Sequence, residues 1–197
     1  MIYVFLADGF EETEAIAPID ILKRFGKEVV TVGVGGGKVT GAHGITVTAD
    51  ITDNDVIMTD KVEMIVLPGG MPGTLNLEKS PVQAAIKFCA DNKKAIGAIC
   101  AAPSIIGRLG LLSGKKATCF PGFEQFLEGA MFTGDLVNID DDIVTARGAG
   151  AAIEFGLALG ALLCGEKKAE KIAKALDNGK RAEKTAQKSY ASKAKRA

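Results

Sequence analysis

The chain has 197 residues with 24 basic and 24 acidic side chains, so its formal net charge at pH 7 is zero. This balance does not indicate a nucleic-acid partner, and the length suits one α/β domain with a substantial core. The most apolar late stretch, residues 151–164, contains Glu154 and is too short to span a bilayer, so we expect no membrane segment.

The N-terminal part of the chain predicts a buried strand over 2–7 and a helix over 11–25. Apolar residues recur at three- and four-residue spacing through this helix, as in an amphipathic helix. Pro18 removes a backbone donor inside it, so we expect the helix to bend or to begin near Glu14. A strand over 28–34 and an antiparallel hairpin, 38–40 with 45–49, appended to the main sheet, are expected next.

The remaining elements continue this alternation. Strands are expected at 64–67, 95–99, 117–120, 136–139 and 143–146, a loop or single turn at 71–76, and helices at 82–91, from 101, at 123–128, from about 150 to 164, and at 167–178. Because strands alternate with helices, the sheet should be mainly parallel, covered on both faces, with ligands at the carboxyl ends of its strands. We expect a single domain over 1–197.

The C-terminal segment differs in charge from the rest of the chain. From Glu166 onward there are eleven basic and four acidic residues, a net charge of about +7. We interpret the part from about residue 180 as a solvated basic helical tail, and an anion-binding role is the alternative.

The stretch around which the chain is organised surrounds Cys100. Residues 95–99 are apolar and of strand length, and from Ala101 the residues suit a helix, with Pro103 in its first turn. Cys100 lies at the junction, as does the nucleophile in a strand–turn–helix elbow. Helix N–H groups would favour a thiolate there. Considered alone, Cys100 could also be a buried structural cysteine.

Glycines end a neighbouring strand. Gly69 and Gly70 follow Leu67-Pro68, and without side chains their backbone N–H groups can approach a ligand closely. Together with the N–H of Ala101 they would form an oxyanion hole for a carbonyl attacked by the Cys100 sulfur. The alternative is a simple strand-ending turn.

The four cysteines lie far apart in the sequence, with no C-x-x-C pair. We therefore expect neither a zinc site nor a disulfide framework, and no bound metal. The N-terminus begins in an apolar strand without a basic region, so no signal peptide is expected. These features indicate a protein of the reducing cytoplasm.

Four ordered motifs resemble a known family. Ala-Asp-Gly-Phe-Glu-Glu-Thr-Glu, Val-Leu-Pro-Gly-Gly, Ala-Ile-Cys-Ala-Ala-Pro and Thr-Ala-Arg-Gly-Ala-Gly look like the ThiJ/PfpI family, closest to its DJ-one branch. The resemblance covers residues 1 to about 178. It implies a flavodoxin-like three-layer α/β sandwich with a cysteine nucleophile elbow, and a homodimer.

The resemblance also implies the members of the site. A cysteine with a hydrogen-bonded, protonated glutamate corresponds to Cys100 and Glu14, and Gly70 and Ala101 supply backbone donors. Arg24 falls where the family has an arginine near the site. Spacing alone does not select Glu14 over its neighbours Glu11 and Glu12.

The chain departs from the family pattern at two positions. Peptidase-like members have a histidine after the cysteine, where this chain has Ala101, and some members have one before the following proline, where this chain has Phe120. The single histidine, His43, is expected in a surface turn. A peptidase is therefore disfavoured. Cys119 and Phe120 are candidate pocket residues, and a buried cysteine is the alternative for Cys119.

The pair of Cys100 and Glu14 predicts chemistry without a cofactor. A thiolate can add to an aldehyde, and a carboxyl group of raised pKa can move protons between adjacent carbons. The resemblance implies glutathione-independent glyoxalase or deglycase activity, acting on a small aldehyde, a dicarbonyl or a glycated protein.

Two other functions stay open. The same cysteine, oxidised to a sulfinate, would suit a redox-sensing stress-response protein or chaperone. A step in cofactor metabolism is a third possibility, since some family members carry a thiazole-biosynthesis label, but no residue argues for it.

Overall fold

The computed structural model describes residues 1–176. The strands are β1 (Ile2–Ala7), β2 (Val29–Val34), β3 (Lys38–Thr40), β4 (Thr46–Thr48), β5 (Ile51–Thr52), β6 (Met64–Leu67), β7 (Ala95–Ile99), β8 (Lys116–Ala117), β9 (Met131–Phe132), β10 (Val137–Asp140) and β11 (Ile143–Ala146). The helices are α1 (Glu12–Arg24), α2 (Gly73–Asn76), α3 (Ser80–Asp91), α4 (Pro103–Arg108), α5 (Ala152–Cys164) and α6 (Glu166–Ala175).

Seven strands form the central sheet, in the order β10-β11-β7-β6-β1-β2-β5. All neighbouring pairs are parallel except β10 with β11, which form an antiparallel hairpin. The prediction of a mainly parallel, flavodoxin-like sheet is confirmed. Because β1, β6 and β7 are adjacent and parallel, the loops that follow them meet at one edge of the sheet.

Helices cover both faces of this sheet. On one face, Leu22 of α1 and Phe155 of α5 pack with strand residues such as Val4 and Val66. On the other face, Ile86 of α3 and residues of α4 pack with strand residues such as Phe5. Alternate residues of the strands therefore face opposite layers, as the period of two requires.

The helix that carries Glu14 begins one residue after the predicted start at 11. Its first residue is Glu12, and Pro18 lies inside it. The first turn closes upstream of the proline, where the Ala15 N–H donates to the Glu11 carbonyl at 3.2 Å. Of the two effects expected of Pro18, a bend or a start near Glu14, the start near Glu14 is therefore wrong, and the helix lies within the predicted span 11–25.

Two predicted strand arrangements also differ from the structure. The hairpin of β3 and β4 forms a two-stranded sheet of its own and is not part of the main sheet. The strand expected over 117–120 ends at Ala117, because the N–H groups of Thr118 and Phe120 do not bond to the backbone of a neighbouring strand as a β-ladder requires. The Thr118 N–H donates to the Thr145 hydroxyl at 3.0 Å, and the Phe120 N–H to the Cys100 carbonyl at 2.8 Å.

The predicted last helix ends at Ala175 within the described residues. The basic tail expected from about residue 180, and with it the end of the predicted single domain over 1–197, lies outside them. None of the helices within residues 1–176 is long and apolar enough to cross a membrane.

Candidate active site

Cys100 occupies a strained turn between β7 and α4. Its φ is +64°, in the left-handed region, which costs a non-glycine residue about 1–2 kcal/mol. Two backbone bonds fix the turn: the Cys100 N–H donates to the Ala146 carbonyl at 2.9 Å, and the Cys100 carbonyl accepts the Phe120 N–H. The side chain is partly exposed. The expected elbow is therefore present at this position.

Backbone donors surround the sulfur. The N–H groups of Ala101 and Gly70 both hydrogen-bond to it. Gly70 has a φ of +94°, and a Cβ there would collide with the Glu11 backbone nitrogen and lie 2.5 Å from the Gly9 carbonyl oxygen. Only glycine tolerates both the positive φ and the close backbone contacts at this position. A glycine is therefore required here to place the Gly70 N–H against the sulfur.

Glu14 lies beside the same sulfur. Its side chain is buried and hydrogen-bonds to Cys100, while the Gly69 N–H donates to its Oε2 at 3.0 Å. A Cβ at Gly69 would lie 2.6 Å from both the Cys100 Cβ and the Glu14 Oε2. The absence of a side chain at Gly69 therefore lets the two groups approach each other.

The protonation of Glu14 is unusual for a glutamate. Burial raises the pKa of its carboxyl to about 7, and the charge of Glu11 adds to the increase. Hydrogen bonds from Cys100 and from the N–H groups of Gly69 and Ala149 act in the opposite direction. Glu14 is therefore half protonated near neutral pH, as a group that both donates and accepts protons should be.

The Cys100 thiol does not have the lowered pKa that the helix N-terminus alone predicts. Burial raises its pKa to about 12, together with the charge and hydrogen bond of Glu14, whereas the N–H groups of Ala101 and Gly70 lower it. The two groups are coupled, since the charge of either one disfavours the charge of the other. Between these pKa values the pair carries one proton and one negative charge.

Of the three other expected pocket residues, Arg24 and Cys119 lie away from the site. Arg24 is ten residues beyond Glu14 on α1, about 15 Å along the helix, where it bonds Asp20 at 2.7 Å. Cys119 is fully buried in the core, so it does not line an open pocket. Phe120 is 47 % exposed and lies next to the site.

A neighbouring group of side chains was not predicted as part of the site. Glu12 accepts the backbone N–H groups of His43 at 2.8 Å and Ile45 at 3.3 Å, and lies 2.9 Å from the His43 ring nitrogen. These bonds tie the β3–β4 turn to the start of α1. In the sequence, Glu11 and Glu12 stand out only because they are close to Glu14. Their spacing does not predict a contact with the β3–β4 turn, which is about thirty residues away.

This group also offers metal-ligand atoms. One oxygen each from Glu11 and Glu12 and a ring nitrogen of His43 lie within 4.8 Å of one another. However, backbone N–H groups already satisfy the Glu12 carboxylate, and the positive end of the α1 dipole disfavours a cation there. We therefore assign Glu12 and His43 a structural role in holding the turn.

Known proteins share this sequence and fold. The profile of the DJ-1/PfpI family matches residues 1–161. Protein dj-1beta of Drosophila melanogaster is 34% identical over 177 residues, which cover 88% of this chain and 94% of that protein. A deglycase of Pyrococcus abyssi is 33% identical over 147 residues, covering 74% of this chain and 82% of that protein. The solved structure of oxidized Toxoplasma gondii DJ-1 superposes with a TM-score of 0.81 at 34% identity, covering 89% of this chain and 96% of that one.

The fold and the site define a class: α/β proteins with a cysteine on a nucleophile elbow paired with a buried carboxyl group. Within this class the chain belongs to the DJ-1/PfpI family. The resemblance drawn from the four sequence motifs is thereby confirmed.

Replacing Glu14 by glutamine should change how stability depends on pH. The folded-state pKa of about 7 lies above the ordinary 4.5, so the free energy of unfolding falls as pH rises from 4.5 through 7. The shift corresponds to a loss of about 3 kcal/mol, which Glu14→Gln avoids because it cannot ionise. We measure the free energy of unfolding in urea at pH 4.5, 6 and 8. The free energy of unfolding of Glu14→Gln should increase relative to that of wild type as the pH rises.

Glu12→Gln provides the control, because its difference from wild type should stay constant between pH 4.5 and 8. Burial alone would raise the Glu12 pKa, but hydrogen bonds from the His43 side chain and from backbone N–H groups lower it to about 2. The stability from this group is therefore present above pH 4.5 and lost as pH falls toward 2. If the free energies of unfolding of Glu14→Gln and wild type differ by the same amount at pH 4.5, 6 and 8, the assignment of a raised pKa to Glu14 is contradicted.

Proposed function

We propose that this protein detoxifies reactive dicarbonyls or glycation adducts, without a cofactor, by means of Cys100 and Glu14. The observation that carries the proposal is the hydrogen-bonded pair, in which a carboxyl of pKa about 7 adjoins a sulfur contacted by two backbone N–H groups. The relatives named deglycases in Pyrococcus abyssi and Thermococcus kodakarensis support it.

The first step is addition of the sulfur to an aldehyde carbon. The thiol has the higher pKa of the two groups, so the proton of the pair rests on the sulfur, and the Glu14 carboxylate removes it as the sulfur attacks. The sulfur lone pair forms the C–S bond while the carbonyl π electrons move to oxygen. The N–H groups of Gly70 and Ala101 stabilise this oxyanion, and Glu14 donates the proton that completes the hemithioacetal.

The second step moves a proton between adjacent carbons. The Glu14 carboxylate removes the hydrogen from the former aldehyde carbon, giving an enediolate. The hydroxyl proton of that carbon passes to the neighbouring oxygen, and Glu14 returns its proton to the neighbouring carbon, so that the former aldehyde carbon becomes a thioester carbonyl. The product is a 2-hydroxyacyl thioester of Cys100. One water molecule then hydrolyses the thioester and restores the thiol, so that methylglyoxal plus water yields lactate.

Glycated proteins would enter by the same first step, because an early glycation adduct keeps a carbon that is electrophilic toward sulfur. Peptide hydrolysis is disfavoured, since Ala101 occupies the position of the histidine in peptidase-like members. We place this activity in the reducing cytoplasm, consistent with four cysteines that are all free.

Removing the sulfur should abolish lactate formation from methylglyoxal. Cys100→Ser should lose all measurable turnover, because the Glu14 carboxylate is too weak a base to ionise a serine hydroxyl. Glu14→Gln should lower kcat by about 10²–10⁴-fold, the usual contribution of a general acid–base. Lactate is measured enzymatically under steady-state conditions.

Cys164→Ser is the matched control, since Cys164 is also a partly exposed free cysteine but lies on α5. It should retain wild-type turnover. Undiminished lactate production by Cys100→Ser would rule out the proposed mechanism.

Redox sensing is the second candidate function. The Cys100 sulfur is partly exposed and adjoins a carboxyl that can donate a hydrogen bond to a sulfinate. A related protein of similar fold, Toxoplasma gondii DJ-1, has been solved in an oxidized state. In this role the protein would act as a stress-response factor or chaperone regulated by oxidation.

Mild peroxide should therefore add two oxygens to Cys100. Two molecules of peroxide each transfer one oxygen atom to the sulfur and leave as water. Intact mass should show this addition in wild type and not in Cys100→Ala. Ready oxidation with no turnover of any dicarbonyl favours the sensor, whereas turnover that falls as the oxidised fraction rises favours the enzyme.

We also propose that the protein forms a homodimer through α1 and α5. Ile16 of α1 and Ile153 of α5 are 45% and 38% exposed. Pro18 lies beside Gly156 and Phe25 beside Gly160, so the two helices run in the same direction. Ile16 and Ile153 both precede the first of these contacts and therefore lie at the same end of the helix pair. Exposed branched residues at one end of two adjacent helices favour burial against a second copy.

Light scattering should give the mass of two 20.5 kDa chains. Ile16→Asp should shift the equilibrium toward monomer, because a carboxylate in an apolar interface loses hydration without a partner. Ile57→Asp is the control, as Ile57 is 67% exposed and precedes β6, away from α1 and α5. A monomeric wild type at micromolar concentration would refute the dimer.

A further inference from the structure

An aromatic side chain borders the site where some family members have a histidine. Phe120 is 47% exposed, although phenylalanine is usually buried. Its backbone N–H donates to the Cys100 carbonyl at 2.8 Å, so this residue is tied to the elbow itself. The Phe120 backbone is therefore held next to the residue that carries the sulfur.

Gly148 shows how close the ring lies to the reacting groups. A Cβ at Gly148 would lie 3.2 Å from the Phe120 Cδ2 and 3.9 Å from the Glu14 Oε1. The ring and the carboxyl therefore flank the same glycine. Gly148 has no side chain in the space between them.

The chemistry of the proposed reaction places a substituent near this space. Sulfur addition puts the aldehyde carbon at Cys100 and its oxygen at the N–H groups of Gly70 and Ala101. The neighbouring carbon must reach Glu14, which reprotonates it. The group attached to that carbon then extends past Glu14, toward the side where Gly148 has no side chain and the Phe120 ring lies.

We propose that Phe120 determines specificity at this site and selects dicarbonyls that carry an aromatic substituent over those that carry a methyl group. The inference rests on the proposed function. The Phe120 ring has no titratable group. It can therefore contribute apolar contact with the substrate but cannot transfer a proton. Aromatic rings in offset or edge-to-face contact favour each other beyond the area that they bury.

Turnover of two substrates tests the selectivity. Phe120→Ala should lower the ratio of kcat/KM for phenylglyoxal to kcat/KM for methylglyoxal about tenfold. Phe120→Leu keeps an apolar side chain of similar size without the ring, and should lose most of the preference while retaining the fold. The control is Phe132→Ala, since Phe132 is also 47% exposed but has its ring beside Gly134.

A second measurement does not depend on turnover. The rates at which N-phenylmaleimide and N-methylmaleimide alkylate Cys100 are compared by intact mass, in a Cys164→Ser background that removes the other partly exposed thiol. Wild type should react faster with the phenyl reagent, and Phe120→Ala should lose that preference. Phe132→Ala should keep it.

The outcomes separate the two proposals. If neither dicarbonyl is turned over but alkylation shows a preference that depends on Phe120, the proposed function fails and the aromatic subsite stands. If Phe120→Ala and Phe120→Leu keep the wild-type ratios in both assays, the inference about Phe120 is overturned whatever the enzyme does.

Discussion

The hydrogen bond between the Glu14 carboxyl and the Cys100 sulfur is the interaction on which the site depends. It joins residues that are distant in the sequence, because β1, β6 and β7 are parallel neighbours whose carboxyl ends meet at one edge. Burial keeps a proton on the pair near neutral pH, while the partial exposure of Cys100 leaves the sulfur within reach of a substrate. Deeper burial would close the site, and greater exposure would let Glu14 ionise.

Glycines make this arrangement possible because they have no side chain. A Cβ at Gly69 would collide with both the Glu14 carboxyl and the Cys100 Cβ, and one at Gly70 would collide with the backbone of Gly9 and Glu11. Gly148 has no side chain between Glu14 and Phe120. The reacting groups come from two side chains, but the geometry of the site is set largely by backbone that can approach closely.

The sequence predicts the elements around the site better than it predicts its electrostatics. The apolar run 95–99 followed by Pro103 was enough to place Cys100 at a strand–helix junction, because strand length and a proline in the first turn are local signals. The pKa of Cys100 depends on burial and on a charge from α1, which are tertiary, so the local dipole argument gave the wrong direction. For the same reason spacing did not distinguish Glu14 from Glu11 and Glu12, and the choice came from family resemblance.

Glu12 and Glu14 show why burial alone does not set the charge of a carboxyl group. Both are buried in the first turn of α1, yet the pKa of one is lowered to about 2 and that of the other is raised to about 7. Residues two apart on a helix face different surroundings. Glu12 faces the β3–β4 turn, where two backbone N–H groups and His43 stabilise the carboxylate. Glu14 faces a sulfur that competes with it for negative charge, and only this setting leaves a proton available for transfer.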